Sequence, residues 1–229
     1  MVRSGPPVGG VPRPLQAYEL DRPTDHQPVE TTTVRIIAGT ARGVPLRVPR
    51  GMRVRPTSGR VRTSLFSILG PEVEGARVLD LFAGSGALGI EALSRGAERC
   101  CFVESSRAAL AALEDNLARS RLATAATRLA CDAFQALPLL AANGPFDLAL
   151  IDPPYALLRQ RPRDFLSLVQ SLAADAVLAA DALAVVQHDS QTPLPQDVGP
   201  LVTTDTRAYG TTTLTFLERP PATAMPADD

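Results

Sequence analysis

The sequence predicts an α/β domain, a mostly parallel sheet with helices on both faces, preceded by a small basic extension made of a hairpin and a helix. Three observations predict it. After Gly75, short apolar runs of strand type alternate with Ala- and Leu-rich stretches of helical period, the pattern of βαβ units. A turn with Gly84, Gly86 and Gly89 joins the first such run to the first helical stretch, a place where α/β domains bind ligands. Between Thr31 and Pro71 stand eight arginines (Arg35, Arg42, Arg47, Arg50, Arg53, Arg55, Arg60 and Arg62) and no Asp or Glu.

Residues 1–30 hold six prolines and three glycines and read as a disordered leader. Residues 31–71 read as the basic extension, 72–219 as the α/β domain and 220–229 as a disordered tail. Within the extension, Val34-Arg35-Ile36-Ile37 and Val44-Pro45-Leu46-Arg47-Val48 flank a Gly39 to Gly43 turn, which predicts a hairpin. Arg55-Pro56-Thr57-Ser58 reads as a helix entrance with Thr57 or Ser58 as N-cap. Val61, Leu65, Ile68 and Leu69 then form one apolar stripe, with Arg60, Arg62 and Ser67 at its flanks.

In the domain, strands are predicted over 77–82, 99–104, 127–131, 147–151 and 182–187, with a further β-rich run over 211–218 behind a Tyr209-Gly210 turn. Helices are predicted over 87–95, 105–121, 133–142 and 163–174. With 45% hydrophobic and 21% charged residues, the chain can bury a real core, which excludes wholesale disorder. All 23 basic residues are arginine and the net charge is −1, so the block of eight sits on an acidic remainder. A local basic patch of this kind suits a polyanion such as nucleic acid. Cys100, Cys101, Cys131, His26 and His188 show no metal-ligand spacing, so no metal is expected, and the adjacent Cys100 and Cys101 read as core thiols. No signal-peptide core and no membrane-length apolar run is seen, so a cytoplasmic protein without a membrane partner is expected.

Gly84, Gly86 and Gly89 satisfy GxGxxG, and Glu104 lies 20 residues after Gly84, an acceptor at the end of strand two for ribose hydroxyls. That pattern fits NAD and S-adenosylmethionine equally. Asp80, inside the end of the first strand, can orient the glycine loop and meet a cationic ligand end, where it would repel a pyrophosphate. Strand three ends in Cys131-Asp132-Ala133-Phe134, a carboxylate acceptor for an adenine amino group beside an aromatic ring. The fourth strand delivers Asp152-Pro153-Pro154-Tyr155. Two prolines make a rigid loop whose Asp152 carboxylate and Pro153 carbonyl can accept both N–H groups of an amino nitrogen conjugated to a ring. Tyr155 can stack on that ring, and transfer would rest on positioning and electrostatics.

Together these residues resemble the class I S-adenosylmethionine-dependent methyltransferases of the amino-methylating kind. More narrowly, the chain is similar to the bacterial family that methylates guanine N2 in 16S ribosomal RNA of the small subunit. The likeness runs from Arg35-Ile36-Ile37-Ala38-Gly39 with Arg42-Gly43, through Arg55-Pro56-Thr57, Arg60-Val61-Arg62 and Leu65-Phe66, to the segment from Leu79 to Gly96. Val103-Glu104, Asp152-Pro153-Pro154-Tyr155, Tyr209-Gly210 and Thr213-Leu214 complete it. It spans about Val34 to Glu218. Gly59, Thr63 and Gln187 stand where the family usually has Asp, Glu and Glu.

The resemblance implies a Rossmann-like class I fold with a mostly parallel seven-stranded sheet. It also implies S-adenosyl-L-methionine as cofactor, and 16S rRNA within the small ribosomal subunit or an assembly intermediate as partner of a monomeric enzyme. Carried over by position, Asp80, Phe82, Gly84, Ser85, Gly86, Glu104, Asp132, Ala133 and Thr57 would serve the cofactor, and Asp152, Pro153, Pro154 and Tyr155 the target base. Arg35, Arg42, Arg55, Arg60 and Arg62 would meet RNA. Two other substrates, a tRNA guanine or adenine or cytosine in DNA, stay open on the residues. From a different class, an NAD-dependent oxidoreductase would account for the glycine loop but leave Asp80, the DPPY segment and the arginines without a role.

Overall fold

Strand and helix alternate along the chain from Arg77 onward, and the sheet they build places every candidate strand end on one edge. The computed structural model describes residues 34–49 and 58–220. The expected leader, Arg50, Arg53, Arg55, Thr57 and residues 221–229 lie outside the described residues. The described part belongs to one compact unit, Thr31–Asp229.

The extension forms the expected hairpin, β1 (Val34–Arg35) and β2 (Pro45–Leu46), antiparallel with Val34 opposite Leu46. Helix α1 (Ser58–Leu69) follows. Its buried face is not quite the predicted stripe. Val61, Leu65, Phe66 and Leu69 are buried, whereas Ile68 is 43% exposed. The burial arc is turned toward Arg62 and Phe66. Arg62 is only 4% exposed, because a buried carboxylate on another helix lies beside it.

The main sheet comprises β3 (Arg77–Leu81), β4 (Arg99–Val103), β5 (Ala126–Leu129), β6 (Phe146–Ile151), β7 (Leu178–Asp189), β8 (Asp197–Val198), β9 (Leu201–Tyr209) and β10 (Thr212–Glu218). Their order is β5-β4-β3-β6-β7-β10-β9-β8. The first five of that row are parallel and the last three antiparallel. Seven strands were expected. The eighth, β8, is a two-residue edge pairing with β9 through Asp197–Val202 and Val198–Leu201. The chain fills β3, β4 and β5 outward, then returns to the other side of β3 with β6. That reversal opens a crevice at the carboxyl ends of β3 and β6, the usual ligand position in such sheets.

Helices α2 (Ala87–Ser94), α3 (Arg107–Ser120), α4 (Leu137–Asn143), α5 (Tyr155–Gln160) and α6 (Pro162–Ala174) cover the sheet. The helix expected over 133–142 is broken. Asp132 caps a short 3-10 turn, Ala133–Gln135, and α4 restarts at Leu137 with a proline in its first turn, where proline is tolerated. Two apolar clusters lie on the two faces. One joins Ile36, Leu46, Val61 and Leu65 of the extension to Val78, Ile90 and Leu113. The other joins Leu79, Leu81 and Ile151 to Leu158, Phe165 and Leu168. The extension therefore packs into the α2/α3 layer, and α5 and α6 into the opposite one. Among the described residues no helix is long and apolar enough to cross a membrane.

Candidate active site

Strand β3 is apolar and buried on both faces, yet Asp80 interrupts it. Its carboxylate is 1% exposed and Oδ2 accepts the Gly89 N–H at 2.8 Å. It therefore pins the first turn of α2. Burial pushes the Asp80 carboxyl up to about 7; the Gly89 N–H works against this, and the charges of Asp152 and Glu104 add to it. Beyond β3 the chain turns hard, with Phe82 at φ 66° and Gly86 at φ 83°. A Cβ on Gly86 would stand 2.3 Å from Leu113 Cδ1, so both conformation and space demand glycine there. Gly89 answers another need: a Cβ would stand 2.3 Å from the Phe102 ring, and its absence lets α2 lie close on β4.

Glu104 follows β4. Its Oε2 accepts the Gly84 N–H at 2.8 Å, and Oε1 accepts the N–H groups of Ser105 at 2.8 Å and Ser106 at 2.7 Å. A carboxylate has about four acceptor positions. Three backbone donors leave Glu104 about one for a ligand hydroxyl, rather than the two expected of it. After β5, Asp132 Oδ1 accepts the Phe134 N–H at 2.9 Å, and Ala133 is buried. The Phe134 ring is covered by the Arg161 guanidinium, whose carbon sits 4.7 Å from the ring centroid. Phe82, Glu104, Asp132, Phe134, Pro154 and Arg161 line a cleft of about 210 Å³.

Beyond β6, the backbone N–H of Asp152 donates to the Leu81 carbonyl at 3.3 Å, extending the strand pairing. Gln187 Nε2 donates to Asp152 Oδ1 at 3.1 Å. Pro154 then caps α5, whose first residue is Tyr155. The Tyr155 hydroxyl and Thr212 Oγ1 lie 2.9 Å apart, tying the aromatic ring to β10. Asp80, Glu104, Asp132 and Asp152 thus share one edge, and Pro154 stands in the same cleft wall as Glu104 and Asp132.

The arginines divide. Arg35, Arg42 and Arg60 are exposed, with Arg35 Nη1 donating to the Gly43 carbonyl at 3.1 Å. Arg62 is different from what was expected of an RNA contact. Its Nη2 donates to the Arg35 carbonyl and its Nε lies 3.7 Å from Glu91 Oε2. Burial lowers its pKa, the Glu91 charge works against that, and Arg95 adds to the lowering. It is a buttress inside the protein. Arg55 and Thr57 lie outside the described residues.

Three residues that the sequence reading passed over hold the extension to the glycine loop. Glu91, fully buried, accepts the N–H groups of Ile37 at 2.8 Å and Ala38 at 3.1 Å and pairs with Arg95 at 2.8 Å. Ser94 Oγ accepts the Ala41 N–H at 2.9 Å. Asn116 Oδ1 accepts the Arg47 N–H at 2.7 Å, and its amide donates at 2.9 Å to the carbonyls of Arg47 and Ser85. The available signal was a single carboxylate inside the apolar run Ala87–Leu93, which has to find partners if the run is buried.

Residues 34–218 match the family described as "Conserved hypothetical protein 95". The chain belongs to that family. The matched span coincides with the Val34 to Glu218 resemblance. A Bacillus subtilis (strain 168) protein, YlbH, provisionally named an rRNA methyltransferase, is 39% identical over 180 residues, covering 78% of this chain and 95% of that protein. The ribosomal RNA small subunit methyltransferase D of Escherichia coli (strain K12) is 38% identical over 165 residues, 71% of this chain and 78% of that protein. A solved Escherichia coli structure, yhhF, provisionally named a methyltransferase, superposes with a TM-score of 0.69 at 35% identity, covering 82% of this chain and 98% of that one. This member of the family has the class I methyltransferase fold and is a methyltransferase.

Proposed function

We propose that this methyltransferase transfers a methyl group from S-adenosyl-L-methionine to the exocyclic N2 amino group of a guanine in 16S ribosomal RNA. The substrate is the small ribosomal subunit or an assembly intermediate, and the enzyme acts as a cytoplasmic monomer. Residues 31–71 serve as its RNA-facing extension and 72–219 as its catalytic domain, between a leader at 1–30 and a tail at 220–229. The observation that carries the reading is Asp152, held by the Leu81 carbonyl and the Gln187 amide two residues before Pro154, which lines a cleft together with Glu104 and Asp132.

The residues at this edge suit a cationic cofactor. Three carboxylates crowd one another enough that the charges of Asp152 and Glu104 help raise Asp80. A ligand carrying an ammonium and a sulfonium relieves that repulsion, whereas a dinucleotide pyrophosphate increases it. When bound, the cofactor supplies an electrophilic methyl group. Glu104 offers an acceptor for a ribose hydroxyl and Asp132 one for the adenine amino group.

Asp152 and the Pro153 carbonyl accept the N–H groups of the guanine amine. That draws the nitrogen lone pair out of conjugation and aims it at the methyl carbon. Tyr155, tied to Thr212, stacks on the base. As the N–CH3 bond formed, the sulfonium–methyl bond would break and the cofactor would leave as the neutral thioether, and the Asp152 carboxylate would stabilise the positive charge on the nitrogen and receive its proton. Water exclusion and positioning supply the rate, with no covalent enzyme intermediate.

The test is tritiated methyl transfer to unmodified small subunits, free 16S rRNA, tRNA and DNA side by side. N2-methylguanosine in the small subunit is the expected product. Label confined to tRNA or DNA would keep the chemistry and overturn the substrate. RNA binding should weaken with salt at a slope on the order of −3 to −5 in log K against log salt, for about 4–6 phosphates met.

A further inference from the structure

Outside the extension, three more arginines fall within five residues, Arg159-Gln160-Arg161-Pro162-Arg163, directly behind Tyr155. We infer that this corner between α5 and α6 is a second RNA-docking surface, which holds the phosphates on the far side of the target guanine from the extension. The inference rests on the proposed rRNA reading and names how that RNA is gripped.

Placement is the first ground. The extension's core residues belong to the apolar cluster on the α2/α3 face, whereas Leu158 and Phe165, which flank the arginine run, belong to the cluster on the other face. The Asp152 to Tyr155 loop leaves the sheet edge between those two layers. A nucleotide turned out of its stack carries backbone phosphates on both its 5′ and 3′ sides, so contacts from both layers can hold it. Arg35, Arg42 and Arg60 are exposed on the extension, whose core lies in the α2/α3 layer.

Charge placement is the second ground. Arg161 and Arg163 stand at the very start of α6, where the helix dipole disfavours cations, so the dipole accounts for neither. Their exposure agrees: the Arg159 and Arg161 side chains are 59% and 55% exposed, and Arg163 is exposed too. Arg159 lies 3.5 Å from Asp189 and Arg161 2.7 Å from Asp164. The Arg161–Asp164 pair is exposed on both sides and such pairs are worth little, so it yields readily to phosphate, whereas Asp189 is only 13% exposed and orients the Arg159 guanidinium. The guanidinium fork then offers a bidentate match. Such contacts set register without reading sequence.

Arg161 also covers Phe134 in the cleft, so the test leaves it in place. Binding of unmodified small subunits would be measured against salt for the wild type, Arg163→Gln, Arg159→Gln/Arg163→Gln, and Arg99→Gln. Arg99 is exposed at the opposite end of the sheet, where β4 begins. S-adenosylhomocysteine affinity would be measured by calorimetry on each. The slope should fall in magnitude by about 0.7 in the single variant and about 1.4 in the double. It should stay unchanged in Arg99→Gln, and cofactor-product affinity should be constant throughout. A wild-type slope in the double variant overturns the surface. A lower slope accompanied by lost S-adenosylhomocysteine affinity also overturns it, because it places the residues in the cofactor cleft. If the wild type itself fails to bind small subunits, the rRNA reading falls, and this surface with it.

Discussion

Gln187 donates its side-chain amide to Asp152 Oδ1 at 3.1 Å, and this bond crosses between two neighbouring strands. β6 and β7 run parallel with Ile151 opposite Val186, so register alone brings residues 152 and 187 together beyond the last paired position. Gln187 is 8% exposed, which keeps water from replacing it. A hydrogen bond to a charged group contributes about 1.5–3 kcal/mol. Gln187→Ala should therefore lower kcat by about tenfold to a hundredfold while leaving S-adenosylhomocysteine affinity unchanged. Single-turnover methyl transfer beside calorimetry separates the two, and an unchanged kcat would mean that other contacts orient Asp152.

Asp152 itself follows β6 at the same sheet edge as Asp80 and serves the target nitrogen in the proposed chemistry. Asp152→Ala should keep cofactor affinity within a few-fold and abolish transfer. Removing a like charge near Asp80 works, if anything, in favour of a lower Asp80 pKa. Calorimetry and a methyl-transfer assay on the same preparation decide the matter. Equal loss of both would make Asp152 a cofactor or folding residue.

Asp80 gives the site a pH signature. Its carboxyl, raised by burial to about 7, holds a proton in the native state over a range where the unfolded chain has lost it. The native state then binds more protons than the unfolded one, and stability falls as pH rises through that range, levelling off above about 7. The thermal midpoint of the cofactor-free protein should decline between pH 5 and 7, and Asp80→Asn should remove that part of the decline. Binding has the opposite sign. A cationic ligand prefers the ionised carboxylate, so S-adenosylhomocysteine affinity should rise over the same interval in the wild type and stay flatter in Asp80→Asn. Calorimetry at three pH values reads it, and equal slopes in both proteins would exclude Asp80.

The edge that carries these groups was readable because β3, β4 and β6 are apolar runs that contain or lead into an acid, at Asp80, Glu104 and Asp152. Buried parallel strands produce that signal directly. β9 gave none: Leu201–Tyr209 is mostly half-buried or exposed and rich in Thr, and its pairing with β10 and β8 makes it a strand. α5 was hidden behind two prolines that end one element and start the next. The buried face of α1 departs from the predicted stripe for a different reason. Arg62 is buried because Glu91 is, and a pair separated by 29 residues leaves no trace in local periodicity. Likewise Gln187 stood out only as a departure from the resembled family, and its partner became visible through strand register.

Glu91 is the largest structural commitment among these residues. Its carboxylate takes two backbone N–H groups of the hairpin and stands between Arg62 and Arg95, while Arg95 in turn lies 4.9 Å from the centroid of the Phe66 ring. Glu91→Ala leaves the buried Arg62 charge uncompensated and two amides without their acceptor, a loss of about 3–5 kcal/mol for a broken buried pair. Replacing both charges, as in Glu91→Gln with Arg62→Met, keeps an acceptor for one amide and removes the charge that had to be neutralised. The double variant should recover a substantial part of the lost stability. Urea unfolding of the wild type, Glu91→Gln, Arg62→Met and the double variant, beside Glu91→Ala, measures it, with additivity of the two single losses in the double excluding the coupling. Since the hairpin hangs on Glu91 and the glycine loop on the same helix, Glu91→Ala should also weaken S-adenosylhomocysteine binding, although no atom of Glu91 is exposed to reach the ligand.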